Sequence, residues 1–154
     1  MPLYYLDTSG LLKRYVLEVG SEWMISLIRT EPVSISVLSM AEVASALGRR
    51  YREDLLSARQ RDALYRRFVD ESERYMLVGL TRAVVEQAAA LLIDPLAPPR
   101  LRTLDALHIA SARIAFERAL RQHRAVGAFV SADRALLRAA EWAGLATANP
   151  EDHP

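Results

Sequence analysis

Leu3-Tyr4-Tyr5-Leu6-Asp7-Thr8-Ser9-Gly10-Leu11-Leu12 decides how this chain is read. Residues 3–6 form an unbroken apolar and aromatic run, which reads as a short buried strand. Asp7 ends that run, and a helical pattern over about 9–17 follows it. The same strand-then-helix grammar recurs along the chain. Residues 33–37 read as a second buried strand, and 75–79, 127–130 and 145–147 as weaker ones. Helical patterns fill about 20–30, 40–53, 57–73, 81–92, 103–122 and 133–143. Alternation of this kind implies βαβ units, hence an α/β fold whose parallel sheet carries helices on both faces.

Punctuation supports the boundaries. Gly144 follows Trp142-Ala143, where a helix needs a left-handed residue to stop. Asp94-Pro95 and Pro98-Pro99 mark a rigid loop before the 103–122 helix. The segment 49–74 is dense in Arg, Asp and Glu and reads as a helical hairpin projecting from the sheet core. No repeat, low-complexity tract or linker interrupts the chain, so residues 1–154 are expected to form one domain.

Composition narrows the class. Hydrophobic residues make up 51% of the chain, enough for a sizeable core and too many for a disordered one. Cysteine is absent, which excludes disulfides, zinc thiolates and cysteine nucleophiles. No apolar run reaches the roughly 18 residues of a membrane span. Asp7 comes too early for a signal peptide, so the expectation is a soluble, cytoplasmic protein. A net charge of +1 announces no nucleic-acid partner. Lys13 is the sole Lys among 20 basic residues. The other cations are Arg, whose planar fork suits phosphate, although a GC-rich genome would give the same bias.

Four acids stand where one element gives way to the next: Asp7, Glu42, Asp105 and Asp133. Each alone has an ordinary explanation. Asp7 can cap the first helix, Ser39-Met-Ala-Glu42 fits a capping box, and Asp105 and Asp133 suit a helix's first turn. Together they mean more. In an open α/β sheet, ligands bind beyond the carboxyl ends of the strands, where strand order reverses. Four carboxylates meeting there would repel one another unless a cation joined them, and all-oxygen ligation suits Mg²⁺ or Mn²⁺. Thr8 and Ser131 are placed to hydrogen-bond water at such a site, or merely to cap. Arg102, near Asp105, is placed either to contact a phosphate or to pair with an acid.

Other chemistries find no motif. There is no nucleophile elbow, Walker loop or dinucleotide fingerprint, and the three His residues have no zinc or triad spacing. His108 shares a helical face with Asp105 and reads as a satisfied, partly buried His with a secondary reading as support for the site. His123 and His153 read as surface residues, Trp23 and Trp142 as core.

Tyr5-Leu6-Asp7-Thr8-Ser9, Leu38-Ser39-Met40-Ala41-Glu42-Val43, Leu101-Arg102-Thr103-Leu104-Asp105-Ala106-Leu107-His108 and Val130-Ser131-Ala132-Asp133 together resemble a PIN domain, and more closely the VapC-type toxins of toxin–antitoxin pairs. The resemblance implies an α/β/α sandwich and a Mg²⁺- or Mn²⁺-dependent endoribonuclease. Asp7, Glu42, Asp105 and Asp133 match the family's acidic quartet, and Thr8 and Ser131 its hydroxyl positions. It also implies an RNA substrate, a homodimer and a small cognate antitoxin that masks the site. Water would be the nucleophile, with Asp7 and Asp105 as principal metal ligands. Two other readings compete: a non-catalytic PIN-like scaffold or binding module, and a phosphatase of small substrates. The phosphatase is weakened because Asp7 is followed by Thr8-Ser9 rather than by a second Asp two residues on. A receiver-like module would need a paired acid and a late Lys, and the chain has neither.

Overall fold

The computed structural model describes residues 1–153. Five strands form one sheet: β1 Leu3–Leu6, β2 Val33–Ser36, β3 Met76–Val78, β4 Val126–Val130 and β5 Thr147–Ala148. Their order is β3-β2-β1-β4-β5, and every neighbouring pair is parallel. All five expected strands are present, the last shortened to two residues at 147–148. The helices are α1 Thr8–Leu12, α2 Ser21–Thr30, α3 Leu38–Arg52, α4 Ala58–Ser72, α5 Arg82–Ile93, α6 Thr103–Arg121 and α7 Arg134–Trp142.

Alternation within the strands builds two cores. Leu3 and Tyr5 of β1, with Phe129 of β4, pack against α5, α6 and α7. Leu6, Val33, Ile35 and Val130 pack on the other face, against Leu11 of α1, Met24 of α2, Val43 and Leu47 of α3, and Phe68 of α4. Successive side chains of a strand point to opposite faces, so a strand covered on both sides must be apolar throughout or satisfy its polar groups. β2 does the latter. Ser34 and Ser36 are fully buried, and the Ser34 hydroxyl donates to the Tyr4 carbonyl while Ser36 accepts from the Leu38 amide. The result is the expected α/β/α sandwich.

Three expectations change in detail. The first helix ends at Leu12 rather than near residue 17, because the next amides tighten to three-residue bonds: Lys13 to Gly10, Arg14 to Leu11 and Tyr15 to Leu12. That turn buries Lys13, whose ammonium meets Glu151 at 2.9 Å. The hairpin of α3 and α4 roots its apolar face in the core through Val43, Leu47 and Phe68, and its tip, residues 51–60 apart from the half-buried Leu56, is exposed. Trp23 and Trp142 are half-buried at the edges of the cores. Trp23 stacks on the exposed His153 with ring centroids 4.6 Å apart. Gly144 behaves as expected: at φ 89° it ends α7, with its own amide on Glu141 and that of Leu145 on Ala140.

β1 occupies the middle of the sheet, with β2 and β3 on one side and β4 and β5 on the other. Strand order therefore reverses between β1 and β4. The residues that follow those two strands are Asp7 and the run Ser131–Asp133.

Candidate active site

Asp7 caps α1, its Oδ1 accepting from the Gly10 amide at 3.0 Å, and the Ser9 hydroxyl donates to the same carboxylate at 2.9 Å. The side chain is 5% exposed. Burial raises its pKa above the ordinary value, against the pull of His108, the Gly10 amide, Ser9 and Ser131. Among the described residues no Lys or Arg pairs with it. A buried carboxylate without a counter-charge is costly, and a cation arriving beside it would relieve that cost.

Glu42 is half-buried on α3 and makes its contacts across the layers. The Thr8 hydroxyl donates to Oε1 at 2.9 Å, and His108 Nε2 meets the same oxygen at 2.6 Å. Burial pushes its pKa up, but the hydrogen bond and charge of His108, with Thr8, outweigh it and hold the carboxyl below its usual value. The capping box expected at Ser39 and Glu42 does not form. Val37 is already in the right-handed helical region, so Ser39 lies inside the helix, and its hydroxyl is met by Thr8 at 3.2 Å. That frees the Glu42 side chain to reach α6.

His108 is the hinge of this arrangement. It is 3% exposed, with Nδ1 2.9 Å from the Tyr5 hydroxyl and Nε2 on Glu42. Burial drives the Tyr5 pKa far up, so its phenol keeps its proton. Since an ionised carboxylate only accepts, Nε2 must carry hydrogen and donate to Glu42. The Tyr5–His108 pair therefore fixes one oxygen of Glu42 and leaves Oε2 without a protein donor.

Ser131 and Asp133 follow β4. Ser131 is fully buried and accepts from the Asp133 amide at 3.0 Å. The exposed Asp133 caps α7, accepting from Ala135 at 2.8 Å and Leu136 at 3.2 Å. Ser9, absent from the sequence-based candidates, joins the two strand ends. It meets Ser131 at 3.2 Å and accepts from the Ala132 amide at 3.0 Å while donating to Asp7. Asp105 opens α6 one turn before His108, and its Oδ2 accepts from the Arg102 amide at 3.1 Å. The Arg102 side chain is exposed and enters none of the ion pairs among the described residues.

Contacts thus tie Asp7 to Ser131 and Glu42 to Thr8 and His108, whereas Asp105 and Asp133 bond only to nearby backbone. Among the described residues, no three Asp, Glu or His side chains form a ready cage for a metal ion. The donor set still suits a hard cation. Mg²⁺ keeps several waters and takes one or two carboxylates rather than a dedicated protein cage. A cleft of about 290 Å³ adjoins these groups, lined by Thr8, Ser9, Glu42 and Arg49, with Leu12 and Leu104 as its apolar wall. Two larger hollows of about 340 Å³ lie elsewhere, and neither includes any of the four acids.

The family model for the PIN domain matches residues 4–141. No curated protein sequence matches the chain. Among solved structures, VapBC2 from Rickettsia felis, bound to a promoter DNA fragment, aligns at 13% identity and a TM-score of 0.61, covering 96% of this chain and 98% of its own. FitAcB from Neisseria gonorrhoeae aligns at 17% identity and a TM-score of 0.60, covering 96% and 97%. A toxin–antitoxin complex from Klebsiella pneumoniae aligns at 14% identity and a TM-score of 0.52, covering 86% and 87%. At these identities the likeness establishes the fold.

Proposed function

Because the chain belongs to the PIN domain family, we propose that it is a metal-dependent endoribonuclease of the VapC type, held inactive by a cognate antitoxin. The observation that carries this reading is Asp7, a buried carboxylate with no counter-cation at the point where strand order reverses. Asp7 and Asp105 would hold Mg²⁺ or Mn²⁺, with Asp133 and Glu42 completing the shell directly or through water. The ion, when bound, supplies positive charge against the phosphodiester and lowers the pKa of water.

The chain's own groups do the rest. Gly10 and Ser9 fix the Asp7 carboxylate, and Ser131 reaches it through Ser9. Thr8 and His108 keep Glu42 ionised and turned one way. Arg102, next to Asp105 and free of ion pairs, is available to a phosphate oxygen. Water is the attacking group in this reading. No helix among the described residues is long and apolar enough to cross a membrane, in keeping with a cytoplasmic enzyme. The Klebsiella neighbour is a toxin–antitoxin complex, which supports an antitoxin partner here, and a homodimer is the assembly we propose.

The test is cleavage of RNA by the purified protein with Mg²⁺ or Mn²⁺, and its loss in Asp7→Asn and Asp105→Asn. Metal-dependent cutting retained by both folded variants would overturn the mechanism. A second reading, a non-catalytic scaffold, is favoured by the missing ready-made cage. It predicts no Mn²⁺ binding by calorimetry, where the nuclease reading predicts binding that Asp7→Asn weakens.

A further inference from the structure

Arg49 is the one cation, and Glu42 the one acid, among the side chains that line the cleft beside the site. It lies on α3 seven residues after Glu42, which is about two turns and about 10 Å along the same helix face. Its side chain is exposed and enters no ion pair among the described residues. Several other cations of this face are paired. Arg50 reaches Glu18 at 3.7 Å, Arg14 and Arg67 hold Glu71, and Arg61 pairs with Asp62. Glu42, the one acid of the cleft, does not take it as a partner. Instead Glu42 is held by Thr8 and His108, and Arg49 is left facing the hollow.

We propose that Arg49 binds a backbone phosphate of RNA neighbouring the one that is cut. This rests on reading the cleft as a nuclease site. Two turns along α3 from Glu42, Arg49 would meet a phosphate that flanks the reacting one. A guanidinium fork suits two phosphate oxygens at once. Nothing aromatic lines the cleft, and Leu12 and Leu104 form its apolar wall. Single-stranded bases are read mainly by stacking and by hydrogen bonds to their edges, so this contact grips the backbone and carries little base preference.

The bland alternative is that Arg49, in the last turn of α3, only complements the helix dipole. That role would alter thermal stability and leave RNA binding alone. The deciding measurement is anisotropy of a labelled single-stranded RNA bound to the full chain in EDTA, over a series of salt concentrations. Arg49→Ala should weaken binding about tenfold, alike for strands of different base composition, and flatten the plot of log affinity against log salt by about 0.7 to 1. Arg49→Lys should keep part of both. Arg52→Ala, altering an exposed Arg one turn further on and outside the cleft, should change little. An unchanged slope in both Arg49 variants would overturn the proposal, as would an equal loss in Arg52→Ala. Because no cutting is needed, failure to cleave RNA would sink the nuclease reading while this result still decides Arg49.

Discussion

Asp7 and Glu71 are both carboxylates set into this molecule, and their surroundings push them in opposite directions. Asp7, at the sheet's carboxyl edge, is buried with no Lys or Arg paired to it, and burial raises its pKa against the pull of His108 and of its hydrogen-bond donors. Glu71, on α4, is only half-buried, and burial pushes its pKa up as well. Arg67, Tyr15 and Arg14 more than cancel that and hold it low. Glu71 takes a two-pronged contact from Arg14, at 3.0 and 3.2 Å, and another from Arg67 at 3.0 Å. The Tyr15 and Tyr75 hydroxyls beside it lie 3.0 Å apart. A carboxylate that holds the fold together brings its own cations; one kept for a ligand leaves that place open.

The comparison breaks most sharply at Asp7. In the proposed mechanism Asp7→Asn removes a metal ligand, so it should cut RNA hydrolysis by at least about a thousandfold. It should not destabilise the metal-free protein. A raised folded pKa contributes stability that is full below the unfolded value and lost as pH rises through the folded one. Wild type should therefore lose stability across that interval and the Asn variant should not. Thermal melts in EDTA from acid to neutral pH check this. A variant that melts well below wild type at neutral pH would mean that Asp7 is structural after all.

His108 is the next step down. His108→Gln removes the group that orients Glu42, and metal affinity should fall about 10- to 100-fold, the range for groups behind a ligand. Calorimetric titration with Mn²⁺ reads this without any cutting. Unaltered affinity would assign His108 to packing alone.

How much of this contrast was legible beforehand depends on the range of the forces involved. Asp7, Asp105 and Asp133 were visible because each follows a strand or opens a helix, and local grammar marks those places. β1 was visible because burial on both faces leaves the unbroken apolar run Leu3–Leu6, whereas β3 and β5, partly exposed at the sheet's edges, give weaker runs. Glu42 misled, since a Ser three residues before a Glu has a local explanation, and only the early start of α3 at Leu38 removes it. Ser9 and the Tyr5–His108–Glu42 chain were out of reach for a different reason. Their partners lie across the sheet, up to 123 residues away for Ser9 and Ala132, and one sequence carries no record of such pairs. The Arg14–Glu71 contact was hidden in the same way, since Arg14 lies 57 residues from Glu71 and outside the charged segment.

Glu71→Gln should leave cutting intact and cost about 1–2 kcal/mol at neutral pH, the scale of charged hydrogen bonds lost from a partly buried acid. Its lowered pKa sets the sign opposite to that of Asp7. The contribution is present above the unfolded carboxylate value and disappears as pH falls through the folded one. Melting curves of the two proteins should therefore converge in acid and diverge toward neutrality. Convergence at neutral pH instead would show that the Arg pairs contribute nothing.

The smallest effect separates the two arginines on Glu71. Arg14 is 22% exposed and reaches the carboxylate with two nitrogens from outside α4. Arg67 is 46% exposed and pairs within α4 at four residues' spacing. An exposed pair of that spacing is worth about 0.3–0.5 kcal/mol, and less when the cation precedes the acid. Glu71 also sits in the last turn of α4, where the helix dipole disfavours a carboxylate, so its low pKa has to come from its partners. Arg14→Ala should therefore lower the melting temperature several times more than Arg67→Ala. Equal losses would mean that charge near Glu71, rather than the bidentate geometry of Arg14, is what holds this acid.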